Sequence, residues 1–197
     1  MDDQTFYGIK AFLKMKSTNK LQCLYLFEPT HVPHSSQRLR RFLWYVFARS
    51  IVACYVPGTY WRKALLRLFG AKVGLGGRIK PGVHVTCPWN LVIGDYCWIG
   101  ERVWIDNLSQ VSLGDNVCLS QGVYLCTGNH NYRKSTFDLC SAPIIIHDQA
   151  WIAAYSVLAP GTQIGRAVVV GIGSVVHGKI VDRSIVRGNP AVVIGQR

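Results

Sequence analysis

This chain of 197 residues is poor in charge, poorer still in acid, and has no paired cysteine motif. Only 16% of its residues are charged and 49% are hydrophobic. That balance excludes a disordered polyelectrolyte and leaves apolar mass for one large domain plus a small appendage. Ten Asp and Glu stand against twenty-two Lys and Arg, a formal net charge of +12. Such a chain attracts anions: nucleic acid, acidic phospholipid, a nucleotide cofactor or a diphosphate-linked substrate. No nucleic-acid-binding module accompanies the charge, so nucleic acid is set aside. The seven cysteines (Cys23, Cys54, Cys87, Cys97, Cys118, Cys126 and Cys140) form no C-x-x-C pair, so no zinc-knuckle or dithiol motif stands out. Their odd number and the lack of a signal peptide fit a reducing cytoplasm, with most of them acting as small buried hydrophobes. No apolar run reaches the length of a spanning helix. Phe42 to Val56 is too short and is broken by Arg49 and Ser50.

Two textures divide the chain. Residues 1–72 form an N-terminal segment, in which 1–35 read as loose or partly ordered. The run Phe42 to Val56 then predicts a helix, Pro57-Gly58 breaks it, and Tyr60 to Phe69 predicts a second helix closed by Gly70. Basic residues gather here: Arg38, Arg40, Arg41, Arg49, Arg62, Lys63 and Arg67, among aromatics. The helices read either as a cap packed on the domain or, with Trp44, Tyr45 and the flanking arginines, as a surface lying in a membrane interface.

From Val73 to Arg197 a repeat takes over. A branched aliphatic recurs every six residues at Ile146, Ile152, Leu158, Ile164, Val170 and Val176, with a small or branched residue four positions later at Ala150, Ser156, Thr162, Val168 and Ser174. The same pattern runs through Ile93, Ile99 and Ile105, then Leu113, Leu119 and Leu125, with Cys97, Val103, Ser109, Val117 and Val123 as partners. It starts faintly at Val73, Ile79 and Val85. A period of six suits neither a helix stripe nor simple alternation. It suits a short strand and a corner repeated three times per turn, with aliphatic and small residue both inside a triangular prism. Glycine often follows the aliphatic, as at Gly94, Gly100, Gly114, Gly165 and Gly171, where a corner needs unusual backbone angles and close packing. Strands of successive coils pair at about 4.8 Å. Early coils start twenty residues apart, at 73, 93 and 113, so Leu91-Val92 and Val111-Ser112 are extra residues on the third side. A long excursion, 127–143, leaves from that same side, and a loop of this length in a regular solenoid carries function.

The excursion opens Thr127-Gly128-Asn129-His130-Asn131-Tyr132. With "WIAAYSVLAPGTQIG", "VGIGSVV" and the closing "RGNPAVVIG", it resembles the hexapeptide-repeat acyltransferases, in the branch of the galactoside, maltose, nodulation-factor and chloramphenicol acetyltransferases. The upstream "FLWYVFARS" and "PGTYWRKALLRLFGAKVG" are similar to the colanic-acid type, which acts on exopolysaccharide sugars. The resemblance implies an all-β, left-handed parallel β-helix with an N-terminal helical segment and an extended active-site loop. It implies an acetyl-coenzyme A-dependent O-acetyltransferase acting on a sugar hydroxyl in exopolysaccharide or surface-glycan biosynthesis, working as a cytoplasmic homotrimer. An amino-sugar N-acetyltransferase and a non-catalytic β-helix scaffold remain the alternatives.

A sugar hydroxyl needs a base to take its proton as it attacks a thioester. An ordinary imidazole, titrating near about pH 6.5, suits that task. His130 matches the family's general base. Asp106 and Asn107 stack beneath Cys126 and Thr127 beside the loop root, and either could contact the acceptor. Trp151 matches a tryptophan beside the coenzyme A arm. A backbone N–H near Ala153-Ala154 is expected to hold the oxyanion, and Ala154 stands where many relatives carry serine. Gly171, Ile172, Gly173 and Ser174 match the segment that accepts the pantetheine. Lys179, Arg183 and Arg187 could meet the cofactor's phosphates. His84, His147 and His177 read as outward, solvated residues. The zinc site of gamma-type carbonic anhydrases requires a paired histidine spacing that this chain lacks, so no metal is expected.

Overall fold

Each hexapeptide folds into a strand of two or three residues and a corner, and three such sides complete one coil. The structure, a computed structural model, describes residues 21–24, 27 and 35–197. Two compact units emerge. One comprises His34–Gly128 with Ser141–Arg197, and the other comprises Asn129–Cys140 with described residues before Pro33. The loose segment expected over residues 1–35 lies almost wholly outside the described residues.

In the larger unit, one face stacks Lys72–Val73, Leu91–Ile93, Val111–Leu113, Ile144–Ile146, Gln163–Ile164 and Lys179–Ile180. The second face stacks Arg78–Ile79, Trp98–Ile99, Cys118–Leu119, Trp151–Ile152, Val169–Val170 and Ser184–Gly188. The third stacks His84–Val85, Trp104–Asp106, Tyr124–Cys126, Val157–Leu158 and Val175–Val176. Pairing between coils is parallel and in the register of the repeat: Ile93 opposes Val73 and Leu113, and Leu113 opposes Ile146. The aliphatics point inward as expected, and Ile99, Leu119, Ile152 and Val170 form one continuous buried column. At about 25 cal/mol per Å2 of apolar surface removed from water, these columns are the main source of stability.

Two details differ from the expectation. Ser109 stays partly exposed, while Asn107 and Val111 enter the interior in its place. The two extra residues on that side lengthen its strands, so the small-residue position slides to the corner. The glycines after the aliphatics also have a single reason rather than two. Gly94, Gly100, Gly114, Gly165 and Gly171 all keep negative φ, and the positive values fall later in each corner, at Tyr96, Asn116, Gln149 and Ala167 among others. What demands glycine is close approach. A Cβ on Gly74, Gly94, Gly114 or Gly165 would lie within 2.5 Å of the carboxylate of Asp95, Asp115, Asp148 or Asp182 in the next coil. Those aspartates accept backbone N–H groups, Asp95 from Leu75 at 2.7 Å and Asp115 from Asp95 at 2.7 Å, and so tie successive corners together.

The helices are α1 (Ser35–Leu43), which continues through a π-helical turn, Trp44–Ala48, into α2 (Arg49–Ala53), and α3 (Tyr60–Leu68). Gly70, at φ +100°, ends the last one as expected. Trp44, Ala48 and Val52, four residues apart, are buried on the first coil. The Trp44 indole N–H donates to the Thr86 carbonyl at 3.1 Å, and its ring packs on Phe69. Trp44 is therefore turned away from any membrane, contrary to the interfacial reading. Arg62 and Lys63 are likewise buried rather than part of a solvated basic surface. The Arg62 guanidinium donates to the carbonyls of Val52, Cys54, Val56 and Gly58, at and beyond the end of α2, where helix carbonyls lack partners. Lys63 donates to the Gly76 carbonyl.

The parallel stack stops at the C-terminus. Ser184–Gly188 turns through a cis Asn189–Pro190 bond into Ala191–Gln196, which pairs antiparallel with it.

Candidate active site

The excursion is a short hairpin, Gly128–His130 paired with Leu139–Ser141. Its root closes where the Ala142 N–H donates to the Thr127 carbonyl at 3.0 Å. His130 sits at the end of the outgoing strand, half-buried. Its Nδ1 lies 2.8 Å from the Phe137 carbonyl oxygen. A carbonyl can only accept, so Nδ1 carries the hydrogen and Nε2 presents a lone pair. Phe137 also stacks on the imidazole, centroids 4.3 Å apart and planes 7° apart, while Phe27 leans on it at 5.8 Å. Phe137 holds this position with φ +52°, a region that bulky residues rarely enter. Nothing in the sequence pointed to Phe137, because the loop has no period.

On the third face, Asp106 and Asn107 part company. Asn107 is fully buried. Its amide oxygen accepts the Cys87 N–H at 2.8 Å and its amide nitrogen donates to the Cys87 carbonyl at 2.6 Å, bridging two coils. As an acceptor contact Asn107 is therefore withdrawn, since its polar atoms face inward. Asp106 faces outward, where Thr86 Oγ1 donates to Oδ1 at 2.9 Å and Tyr124 Oη donates to Oδ2 at 3.3 Å. Tyr124 packs on Trp104 at 4.9 Å, and burial is the first cause of its raised pKa, so its hydroxyl stays a donor. Thr86 was overlooked in the sequence, although a twenty-residue coil places it directly beneath Asp106.

Trp151 projects from the second face, its indole N–H donating to Ser120 Oγ at 2.9 Å. It lines a groove of about 460 Å3 with Arg78, Lys80, Trp98 and Gln121. The corner between the second and third faces carries the rest of the expected cofactor segment. Ala153 donates its N–H to the Val170 carbonyl at 2.9 Å and is thereby committed to the coil ladder. The Ala154 N–H has no such partner among the described residues, and Ala154 is the half-exposed member of the pair. Ile172 and Gly173 are exposed one coil above it. Ser174 is fully buried, its hydroxyl donating to the Gly171 carbonyl at 2.7 Å, so its side chain cannot face a pantetheine.

The three candidate phosphate contacts separate. The Arg187 stem lies directly over Gly171. Lys179 lies on the first face, in a groove of about 620 Å3 with His147, Gln163, Arg166 and Asp182, and Arg183 sits at the corner that follows. One chain does not bring Lys179 and Arg183 together with Gly171, Ile172 and Gly173. His84, His147 and His177 are exposed, as expected, and the described residues contain no cluster able to hold a metal.

No protein-family model matches the chain. Individual relatives do. A colanic acid biosynthesis acetyltransferase of Escherichia coli (strain K12) is 41% identical over 156 residues, covering 79% of this chain and 86% of that protein. The galactoside O-acetyltransferase of the same organism is 31% identical over 136 residues, covering 68% and 67%. A galactoside acetyltransferase solved with coenzyme A superposes with a TM-score of 0.72 at 25% identity, over 84% of each chain. Stacked six-residue coils, a histidine-bearing excursion at one corner and a relative this similar over most of its length agree, and the chain belongs to the hexapeptide-repeat acetyltransferase family.

Proposed function

We propose that the protein transfers acetyl from acetyl-coenzyme A to a sugar hydroxyl during assembly of an exopolysaccharide or surface glycan, with His130 as general base. The observation that carries this reading is the imidazole held by Phe137, which leaves Nε2 as a proton acceptor. The acceptor hydroxyl gives its proton to Nε2 while its oxygen attacks the thioester carbonyl. The Ala154 N–H supports the tetrahedral oxyanion. Collapse of that intermediate breaks the carbon–sulfur bond, and the proton on Nε2 passes to the departing thiolate. Asp106, oriented by Thr86 and Tyr124, accepts a hydrogen bond from a second hydroxyl of the acceptor. Trp151, Ala154, Gly171, Ile172, Gly173 and Arg187 receive the coenzyme A arm.

The reading includes a homotrimer. Lys179 lies on the first face and Arg183 at the corner after it, whereas Gly171–Gly173 follow the second face, and a neighbouring chain laid against the coils would bring one coenzyme to both sets. The coil faces also expose Trp98 (54%), Trp104 (43%) and Trp151 (46%), which a partner chain would cover. Gel filtration with light scattering, followed by thiol release from acetyl-coenzyme A with a panel of sugars, tests both parts. Activity is expected to run with a species about three times the 22.0 kDa chain mass. An active monomer would remove the shared site, and a trimer that releases no thiol with any sugar would remove the activity.

Residues 73–197 are read as the catalytic domain, and within the N-terminal segment 1–72 the described helices over residues 35–68 are read as covering the first coil and meeting the membrane from the cytoplasm. No helix of the described residues is long and apolar enough to cross a membrane. Leu39, Phe42, Val46, Phe47 and Ile51 nevertheless stay exposed on α1, the π-helical turn and α2, beside Arg38 and Arg49. An apolar strip flanked by cations fits an anionic lipid surface, at about 1 kcal/mol per basic residue near the headgroups. Phosphatidylglycerol vesicles are expected to sediment more protein than phosphatidylcholine vesicles at low salt. Equal recovery would reduce the helices to a cap.

A further inference from the structure

No Asp or Glu occurs between Glu28 and Asp95, a stretch that holds ten Lys and Arg. Several of those cations are engaged by other groups. Arg62 and Lys63 serve backbone carbonyls, Arg67 donates to the carbonyls of Val73 and Gly74, and Arg78 lies over Trp98. Arg40 and Arg41 have no such outlet. Both guanidinium groups sit against one indole, that of Trp89, at 5.5 and 4.8 Å from its ring centre. The ring accounts for part of their placement, since cations favour an aromatic face. It does not account for two like charges converging on the same ring. Arg40 Nε, Arg41 Nε and Trp89 Nε1 are all buried, and none has a hydrogen-bond partner. No carboxylate forms an ion pair with either arginine among the described residues. Three buried donors without partners, two of them on half-exposed cationic side chains, form the donor set that an oxyanion satisfies.

We infer that Arg40, Arg41 and Trp89 recognise a phosphate-ester or diphosphate group. Guanidinium forks match phosphate oxygens two at a time, and the indole N–H supplies a further donor. Two arginines suit a doubly charged oxyanion better than a single carboxylate. Trp89 lies in the short turn Pro88–Asn90, next to Cys87, whose backbone Asn107 bridges. In the same turn the Asn90 amide donates to the carbonyls of Asn107 and Leu108 at 3.3 and 2.8 Å, so the cradle adjoins the segment on which Asp106 faces out. The group it holds is therefore carried by the acceptor: a sugar attached through phosphate, as in a nucleotide-linked or lipid-diphosphate-linked glycan. That assignment to the acceptor rests on the reading of Asp106 above, while the anion site itself does not.

Isothermal titration of the full chain with inorganic pyrophosphate, in the absence of acetyl-coenzyme A, tests the site. Arg40→Gln/Arg41→Gln is expected to weaken binding at least tenfold. Arg102→Gln/Arg197→Gln, which removes the same charge at exposed positions outside the proposed sites, should change it less than threefold. Trp89→Phe keeps the ring and loses the donor, and should weaken binding by an intermediate factor even if the double arginine variant fails to fold. Equal losses in the two double variants, or no pyrophosphate binding by the parent chain, would overturn the site. Competition then identifies the source. Displacement by a nucleoside diphosphate-sugar supports a soluble acceptor, and displacement by phosphatidylglycerol vesicles supports a lipid-borne phosphate. Displacement by coenzyme A, with the same loss in the arginine variant, would assign the cradle to the donor and overturn the acceptor reading.

Discussion

His130→Ala is expected to lower turnover at least about 100-fold, the usual scale for removing a general base, while acetyl-coenzyme A binding stays within about twofold. The size of the effect follows from the geometry of one ring. Nδ1 is tied to the Phe137 carbonyl at 2.8 Å, so the tautomer is set before substrate arrives and Nε2 is left to accept the proton. The stacked Phe137 ring limits rotation of the imidazole, so little orientation has to be found during reaction. The substitution leaves the hairpin ladder intact, because that ladder is made of backbone groups. Thiol release under saturating acceptor, alongside donor binding by titration, reads the two effects separately. Turnover unchanged from the parent would sink the base assignment. A parallel loss of donor binding would show that His130 holds structure rather than moves a proton.

The largest effect on stability is expected from Ile152→Ala, a loss of about 2–5 kcal/mol. Ile152 is fully buried and lies between Leu119 and Val170 in its column. Coils cannot slide closer to fill the hole, because backbone bonds between them hold the spacing near 4.8 Å. The cavity therefore persists, and the surrounding side chains lose their contacts outright. Gln163→Ala, exposed on the first face, should stay within about 0.5 kcal/mol. Thermal unfolding of both variants and the parent at one protein concentration makes the comparison, because assembly shifts Tm with concentration. Similar Tm values for Ile152→Ala and Gln163→Ala would mean that the columns do not carry the stability assigned to them.

Periodic information was legible without coordinates. The six-residue ladder, the twenty-residue early coils and the place of the excursion all follow from side chains that meet equivalent partners in the next coil, so each repeat restates the same contact. The excursion that carries His130 was legible as the long interruption in that ladder, whereas the proposed role of His130 came from the resemblance of its motif. The first-coil helices were partly legible: Pro57-Gly58 and Gly70 mark the break and the end, but the first helical stretch runs from Ser35 to Ala53 rather than from Phe42 to Val56, and the facing of either helix does not follow from the apolar pattern. Trp44, Arg62 and Lys63 point inward because the π-helical turn and the bare carbonyls after α2 decide what each side chain meets. Neither of those is written in local composition.

What the tertiary structure alone decided lies at the corners and in the loop. Asp106 and Asn107 are adjacent and chemically close, yet one step along a strand reverses the direction of a side chain. That reversal sends Asn107 to bridge Cys87 and leaves Asp106 facing solvent. Phe137 became the partner of His130 only through a backbone fold with no repeat behind it. Lys179 and Arg183 were separated from Gly171–Gly173 by the turn of the coil, because residues near in sequence fall on different faces of a three-sided solenoid. The convergence of Arg40 and Arg41 on Trp89 joins a helix to a corner roughly fifty residues away, a contact that no local propensity encodes. The repeat thus determined the scaffold, through contacts each coil makes with its neighbour, whereas the chemistry depended on contacts that occur once.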